Sequence, residues 1–399
     1  MEQKEISRKK LLGVAGFGWL FDAMDVGILS FVIAALAVEW QLTPTEMGWI
    51  GSVNSIGMAV GAFVFGIYAD KVGRKNIFML TLIVFSVANG LSAFTTSLAT
   101  FMVLRFIAGM GLGGELPVAS TLVSESVAAH ERGRIVVLLE SFWAGGWLIA
   151  ALISYFIIPH YGWRIALLLT ALPALYAIYI RIHMPDSPRF TAQQKDTLRM
   201  SQKIASVWSK QYAKRTLMLW IVWFTVVLSY YGMFLWLPSV MTMKGFSMIK
   251  SFEYVLIMTL AQLPGYFTAA WLIERAGRKF VLVAYLSGTA VSAFVFGNAD
   301  TTAMLLVSGM FLSFFNLGAW GALYAYSPEQ YPTNIRGTGT GMAAAVGRLG
   351  GVLGPLMVGM MLSNGTAINT IFTLFCGVIV IGVLAVLFLG TETKQTELE

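Results

Sequence analysis

The sequence predicts an all-α membrane protein: twelve transmembrane helices in two six-helix bundles, with both termini cytoplasmic. Three observations predict it. Apolar runs of about 20 residues, the length that crosses ~30 Å of hydrocarbon at ~1.5 Å per residue, recur from end to end. Lysine and arginine collect between alternate pairs of runs, which puts nearly all of them on one side of a membrane. Landmarks of the first half return in the second at a constant shift of 204 residues. Composition agrees, since 57% hydrophobic residues, 12% charged residues and a mean hydropathy of +0.74 exceed what a soluble chain of 399 residues sustains. A porin-type barrel would show short stretches of strict polar and apolar alternation, whereas these runs are long, Gly-rich and apolar on every side.

The runs cover residues 11–37, 47–69, 76–95, 99–123, 135–158, 162–182, 216–240, 252–273, 280–298, 302–326, 338–362 and 367–389. The start, "MEQKEISRKK" followed by Leu11 to Phe21, resembles a secretory leader, but Asp22 interrupts it and no small-residue cleavage site follows. It reads as an uncleaved first span. That span, in "WLFDAMDVGILSF", places Asp22 and Asp25 three residues apart on one helix face. An ionisable side chain at mid-bilayer costs at least ~2.5–3.5 kcal/mol, so each is a functional candidate by default. Two carboxylates in a dry site do not both ionise cheaply, and at least one should hold a proton near neutral pH.

Span two carries Asn54. Span four carries Arg105, on the outer side of the midplane, where Asp25 is the partner within side-chain reach. Glu115 follows "GMGLGG", which contains a GxG pattern but has no strand before it; the glycines read as close helix packing and Glu115 stays open between coupling and structure. Span five adds Glu140, Trp143 and Trp147. The most polar stretch, about Pro185 to Lys214, is a linker with room for short surface helices. Tyr230, Tyr231, Phe234 and Trp236 lie in span seven, Gln262 and Tyr266 in span eight, Asn316 and Trp320 in span ten.

Arg348 falls near the centre of span eleven, with Gly347, Gly350 and Gly351 read as leaving open space around it. An always-protonated guanidinium there needs an anion. A substrate carboxylate can take its forked donors bidentately, and a permanent internal acid is the alternative. The one cysteine, Cys376, excludes a disulfide framework or a Cys-based metal cluster and reads as packing.

Of the 27 Lys and Arg residues, only Arg164, Lys244 and Lys250 face the other side and only Arg105 and Arg348 lie within the membrane. This asymmetry toward an anionic leaflet explains the net charge of +7 without nucleic acid. "ADKVGRK", from Ala69, returns as "IERAGRK", from Ile273; Glu125 returns as Glu329 and Arg132-Gly133 as Arg336-Gly337. Residues 1–184 and 215–399 are therefore expected to be parallel repeats about an axis along the membrane normal, joined by 185–214. The interior charges disobey the shift: Asp22, Asp25, Arg105, Glu115 and Glu140 map to Val226, Ser229, Gly309, Ala319 and Ala344. Asp70, Arg74, Glu125, Arg132, Glu274, Arg278, Glu329 and Arg336 sit at the cytoplasmic helix ends, where carboxylates meet positive helix ends and arginines are expected to pair across the interface of the halves.

Catalysis finds no support. There is no HExxH or P-loop lysine, and His130, His160 and His183 read as loop residues, leaving no base for a buried serine or cysteine. Without a nucleotide signature or cofactor, transport would run on an ion gradient or on substrate alone.

The whole chain resembles the major facilitator superfamily. "GIYADKVGRK" from Gly66 is similar to its signature between spans two and three. "RFIAGMGLGGE" from Arg105, "SESVAAHERGR" from Ser124, "MPDSPRF" from Met184, "YSPEQYPTNIRGTGTG" from Tyr326 and "GTETK" from Gly390 resemble signatures of the sugar-porter-like branch, with Asp186 where Glu is usual. Span seven lacks the paired glutamine of sugar porters, and "ESFWAGGWLIAAL" lacks the Gly-Pro pair of drug antiporters. Asp22 and Asp25 resemble the acidic places of aromatic-acid/proton symporters, and span eleven resembles organic anion transporters, which carry arginine where Arg348 stands. The nearest resemblance is to the bacterial niacin transporter group.

That resemblance implies proton-coupled uptake of nicotinate, or a similar small aromatic carboxylate, by alternating access in the cell membrane. It implies Asp25 and Arg105 as the coupling pair, with Glu115 and with Asp22 as either a second proton site or a packing hydrogen bond. Arg348 would take the carboxylate. Glu140 would meet the pyridine nitrogen, relay a proton or neutralise Arg348, and Trp143, Tyr230, Tyr231, Phe234, Gln262, Asn316 and Trp320 would line the pocket. The charged helix ends would form a latch. The implied partners are a small organic anion, the proton and the lipid bilayer, and the chain is read as a monomer. Another organic ion, such as a benzoate-like acid, an organic cation or a sugar, taken up or exported, is the alternative.

Overall fold

The shift of 204 carries one set of helices onto the other. The computed structural model describes residues 8–72, 74–125, 132–176, 179 and 200–394. The first set is α1 (Arg8–Glu39), α2 (Pro44–Val72), α3 (Arg74–Ser92), α4 (Leu98–Glu125), α5 (Arg132–Tyr161) and α6 (Trp163–Leu169). A short linker helix, α7 (Met200–Val207), precedes the second set: α8 (Ala213–Phe234), α9 (Leu237–Met243), α10 (Met248–Leu260), α11 (Gln262–Ala276), α12 (Arg278–Gly297), α13 (Thr302–Tyr326), a 3-10 turn (Pro328–Gln330), α14 (Thr333–Ser363) and α15 (Ile368–Leu389). Moved by 204, α2 covers the α10–α11 pair, α3 covers α12 and α4 covers α13 with its 3-10 turn. Among the described residues there is no strand. Among the described residues, nine helical stretches are long and apolar enough to cross a membrane, and shorter apolar helices at Asn76–Ser92, Leu98–Gly113 and Trp163–Tyr176 stand where spans three, four and six were expected.

Spans seven and eight were expected to be continuous and are not. Each breaks four residues before a proline: α8 stops at Phe234 ahead of Pro238, and α10 stops at Leu260 ahead of Pro264. A proline has no N–H to offer the carbonyl four residues back, and its ring crowds that carbonyl. The chain tightens into an i to i−3 turn at both places, with the N–H of Trp236 donating to the Met233 carbonyl and that of Ala261 to the Met258 carbonyl, each at 3.2 Å. The first set has Ala34 and Val60 at the corresponding positions, and α1 and α2 run on unbroken. His160, expected in a loop, closes the last turn of α5 instead. His130 and His183 lie outside the described residues.

Glycines set the closest helix contacts. Side chains at Gly57 and Gly61 of α2 would strike the Phe106 and Met110 carbonyls of α4, and those at Gly109 and Gly113 would strike the Asn54 and Met58 carbonyls in return. This reciprocal fit is the close packing expected of "GMGLGG". Phe63, Phe94 and Phe388 are 71%, 72% and 80% exposed, an outward apolar surface that only a lipid environment suits.

The two sets meet along α2 and α14. At the end away from the linker this seam is zipped. The hydroxyls of Thr45 and Ser363 share a 2.7 Å hydrogen bond, Ser52 Oγ donates to the Val352 carbonyl at 2.6 Å, and Gly48 packs on the Pro355 carbonyl. Further along, Arg348 of α14 reaches Met58 of α2. Gly341 and Gly337 stand seven and eleven residues before Arg348, on the same helix face, and among the described residues a side chain at either would meet nothing within 4 Å. On the linker side, then, this face of α14 is uncovered at both glycines among the described residues.

Candidate functional site

Three groups of buried polar side chains occupy the middle of the bundle. The first belongs to the first set alone. Arg105 Nη1 of α4 lies 3.4 Å from Asp25 Oδ1 of α1, and both residues are fully buried. Asn89 of α3 joins them, its amide nitrogen donating to Asp25 Oδ1 and its amide oxygen accepting from Arg105 Nη2. Ser92 Oγ accepts from Arg105 Nη2 at 3.4 Å, and the guanidinium lies over the Phe101 ring at 5.7 Å. The partner expected for Arg105 is the one it has. Asn89 was missed, although an amide inside an apolar span was signal enough to find it. Among the described residues Arg105 Nε and Asp25 Oδ2 lack a hydrogen-bond partner, which leaves the pair capacity for another proton or contact.

The second group is an aromatic cage between the two sets. Trp143 Nε1 of α5 donates to the Tyr230 hydroxyl of α8 at 2.8 Å, and its ring stacks on Trp320 of α13 at 6.4 Å and 21°. Tyr230 in turn lies 4.8 Å from Trp320 and 5.1 Å from both Tyr231 and Phe234. Glu140 sits one helical turn before Trp143 on α5, fully buried, and accepts from Trp19 Nε1 at 3.2 Å, with Trp320 also acting on the carboxylate; its Oε1 meets no hydrogen-bond geometry among the described residues. Tyr266 and Tyr324 are within electrostatic reach of that carboxylate. Gln262 and Asn316 stand one turn before Tyr266 and Trp320 on their helices. Both are buried, with both amide atoms of Gln262, the Asn316 amide oxygen and the Tyr266 hydroxyl unpartnered among the described residues.

The third group is Arg348. It is half-buried, and among the described residues no carboxylate lies within 4 Å of it. Glu140 therefore does not neutralise it through an ion pair. Tyr231 and Tyr324 are within its electrostatic reach, and Asp22, fully buried on α1, acts on Tyr231 as well. The expected open space around Arg348 is a correction: Gly347 and Gly350 press α14 onto α8, against Trp223, Val227 and the Phe224 carbonyl. Glycine was conserving backbone distance there, not clearing a cavity, because two helices in lipid gain most by close contact.

The charged helix ends of the second set form their own network. Arg278 pairs with Glu274 at 2.8 Å and with Glu329 at 3.1 Å, so among the described residues its ion pairs stay within its half. The positive start of α12 is met by Glu392, which accepts from the N–H groups of Arg278 and Lys279 at 2.9 and 3.0 Å. Arg336 Nε donates to the Pro328 and Tyr331 carbonyls at 3.0 and 3.3 Å. The side chains of Asp70, Arg74, Glu115, Glu125 and Arg132 lie outside the described residues.

Two half-length bundles around a seam of charge and aromatic rings match a known family. The family model described as Major Facilitator Superfamily covers residues 15–265 and 254–399. The chain belongs to the Major Facilitator Superfamily. It is a multi-pass membrane transporter and not an enzyme. A Bacillus subtilis (strain 168) protein named NiaP, for niacin/nicotinamide transport, is 65% identical over 398 residues, covering 100% of both chains. The niacin transporter NiaP of Acinetobacter baylyi is 48% identical, covering 98% of this chain and 95% of that protein. The fold matches the partially occluded, inward-open xylose transporter XylE of E. coli with a TM-score of 0.80, at 20% identity, over 98% of this chain and 99% of that one.

Proposed function

We propose that this transporter carries niacin, as nicotinate, or a small aromatic carboxylate of that shape, by alternating access, with the proton as coupling ion. The observation that carries the proposal is Arg348: a half-buried guanidinium with no acid within 4 Å among the described residues, beside Tyr231 and a cluster of aromatic rings whose faces suit a flat ring. The names of its two relatives support the same substrate. Asp25 and Arg105 are the proposed coupling pair, with Asp22 and Glu115 as further candidates, since a buried carboxylate exchanging a guanidinium for a proton changes charge at little structural cost. Glu140, Gln262 and Asn316 are proposed to read the ring nitrogen and edge of the substrate.

Residues 1–184 and 215–399 are the proposed rocking halves, both termini are placed in the cytoplasm, and the charged helix ends act as the latch of a monomeric carrier. Uptake of radiolabelled nicotinate into proteoliposomes, with and without an imposed pH gradient, tests both parts. Uptake should be saturable and driven by an acidic outside. Absence of uptake overturns the substrate, and uptake indifferent to the gradient overturns the proton.

A further inference from the structure

Arg348 is aimed at a sulfur atom. Its Nη1 lies 3.6 Å from Sδ of Met58, and the Tyr231 hydroxyl and the Asn54 amide nitrogen converge on that sulfur at 4.0 Å each. A thioether is a weak, neutral acceptor. It sits in front of the guanidinium and, among the described residues, no carboxylate within 4 Å balances the charge.

The sulfur is held from the opposite half. Met58 is fully buried on α2, its carbonyl packed on Gly113 and its amide nitrogen facing Gly109 of α4, while Arg348 and Tyr231 belong to the second set. Toward the linker from this contact, Gly341 and Gly337 on the same face of α14 have open space before them among the described residues.

We propose that Met58 is a displaceable ligand of Arg348: a substrate carboxylate takes the guanidinium edge from the sulfur, and that exchange releases α2 from α14 at the inner end of the seam. The inference rests on the carboxylate reading of Arg348. Charge-assisted bonds to a carboxylate are about twice as strong as neutral ones, so the exchange runs toward substrate. A permanent acid at this place would compete with every anion that arrived. A methionine holds Arg348 in position without doing so.

The test compares binding of nicotinate, benzoate and 3-methylpyridine to the purified full-length protein, by tryptophan fluorescence, in the wild type, Met58→Leu and Met58→Gln. Leucine conserves volume, a swap that cores tolerate, and removes the acceptor; glutamine supplies a stronger neutral acceptor. Carboxylate binding should tighten about 3-fold in Met58→Leu and weaken about 10-fold in Met58→Gln, while 3-methylpyridine binding is unchanged in both. A residue that only packs would move all three ligands together, and that result, or equal carboxylate affinity in the three proteins, overturns the exchange. If wild type binds benzoate and not nicotinate, the niacin reading falls while benzoate still reads the exchange. If neither acid binds, the carboxylate role of Arg348 and the exchange fall together.

Discussion

At the scale of single residues, the interior charges are divided between the halves. Asp25 and Arg105 stay inside the first half with Asn89 between them, whereas Arg348 enters from the second and meets Met58 of the first. Arg348→Ala should weaken nicotinate binding about 100-fold, the loss expected when a bidentate charged hydrogen bond disappears, with the protein still folded. Binding of 3-methylpyridine should survive, and its equal loss would mean that Arg348 only supports the fold. Asp25→Asn should keep exchange of labelled for unlabelled nicotinate across proteoliposomes but lose accumulation driven by a pH gradient, because an amide carries no exchangeable charge. Asn89→Ala leaves two buried atoms of that pair short of a partner and should lower stability by about 1–3 kcal/mol, measured as thermal unfolding in detergent. Asp25, Arg105 and Arg348 were legible because charge in an apolar run announces itself. Asn89 was a fainter case of the same signal, and the Arg348–Met58 contact gave none, since a methionine in a membrane helix looks like every other apolar residue.

At the scale of elements, prolines and glycines decide what composition alone does not. Pro238 and Pro264 break the helices of the second half where Ala34 and Val60 leave those of the first intact. Both breaks were readable from the four-residue rule. Pro264→Ala should restore the N–H missing from the end of α10, raise the thermal midpoint and impair nicotinate transport by turning Gln262 into a regular helix. A transport rate equal to wild type would separate the break from function. The glycines make a paired prediction. Gly113→Ala forces a methyl group onto the Met58 carbonyl and should destabilise by about 1–3 kcal/mol, whereas Gly377→Ala, with no neighbour within 4 Å, should be neutral or slightly stabilising. Equal unfolding midpoints for the two would overturn the packing argument. Which glycines make contacts and which face lipid was not readable, because "GMGLGG" and the glycines beside Arg348 have the same sequence character and only their neighbours differ.

At the scale of the whole molecule, the seam between α2 and α14 is closed at the end away from the linker, and toward the linker the α14 face at Gly341 and Gly337 is uncovered among the described residues. A carrier that works by alternating access has to reverse that state. In a background with Cys376→Ser, the pair Thr45→Cys and Ser363→Cys should form a disulfide under mild oxidation, since the hydroxyls they replace are 2.7 Å apart. Uptake should stop on oxidation and return on reduction. Full uptake with the bond formed would show that this end of the seam does not open during transport. Among the described residues, Arg278 holds Glu274 and Glu329 of its own half.

Residue order alone determined that this chain lives in a membrane, that its helices repeat at a shift of 204, and that a few charged side chains sit where lipid forbids them without a reason. These follow from periodicity, hydropathy and the free energy of burying charge, all of which act along the chain. Only the tertiary structure decided that Asn89 completes the Asp25–Arg105 pair, that Met58 faces Arg348, and that the seam is closed on one side. Those are contacts between residues up to 318 positions apart, and they depend on how two nearly equivalent bundles lean on one another, a choice that no local propensity contains.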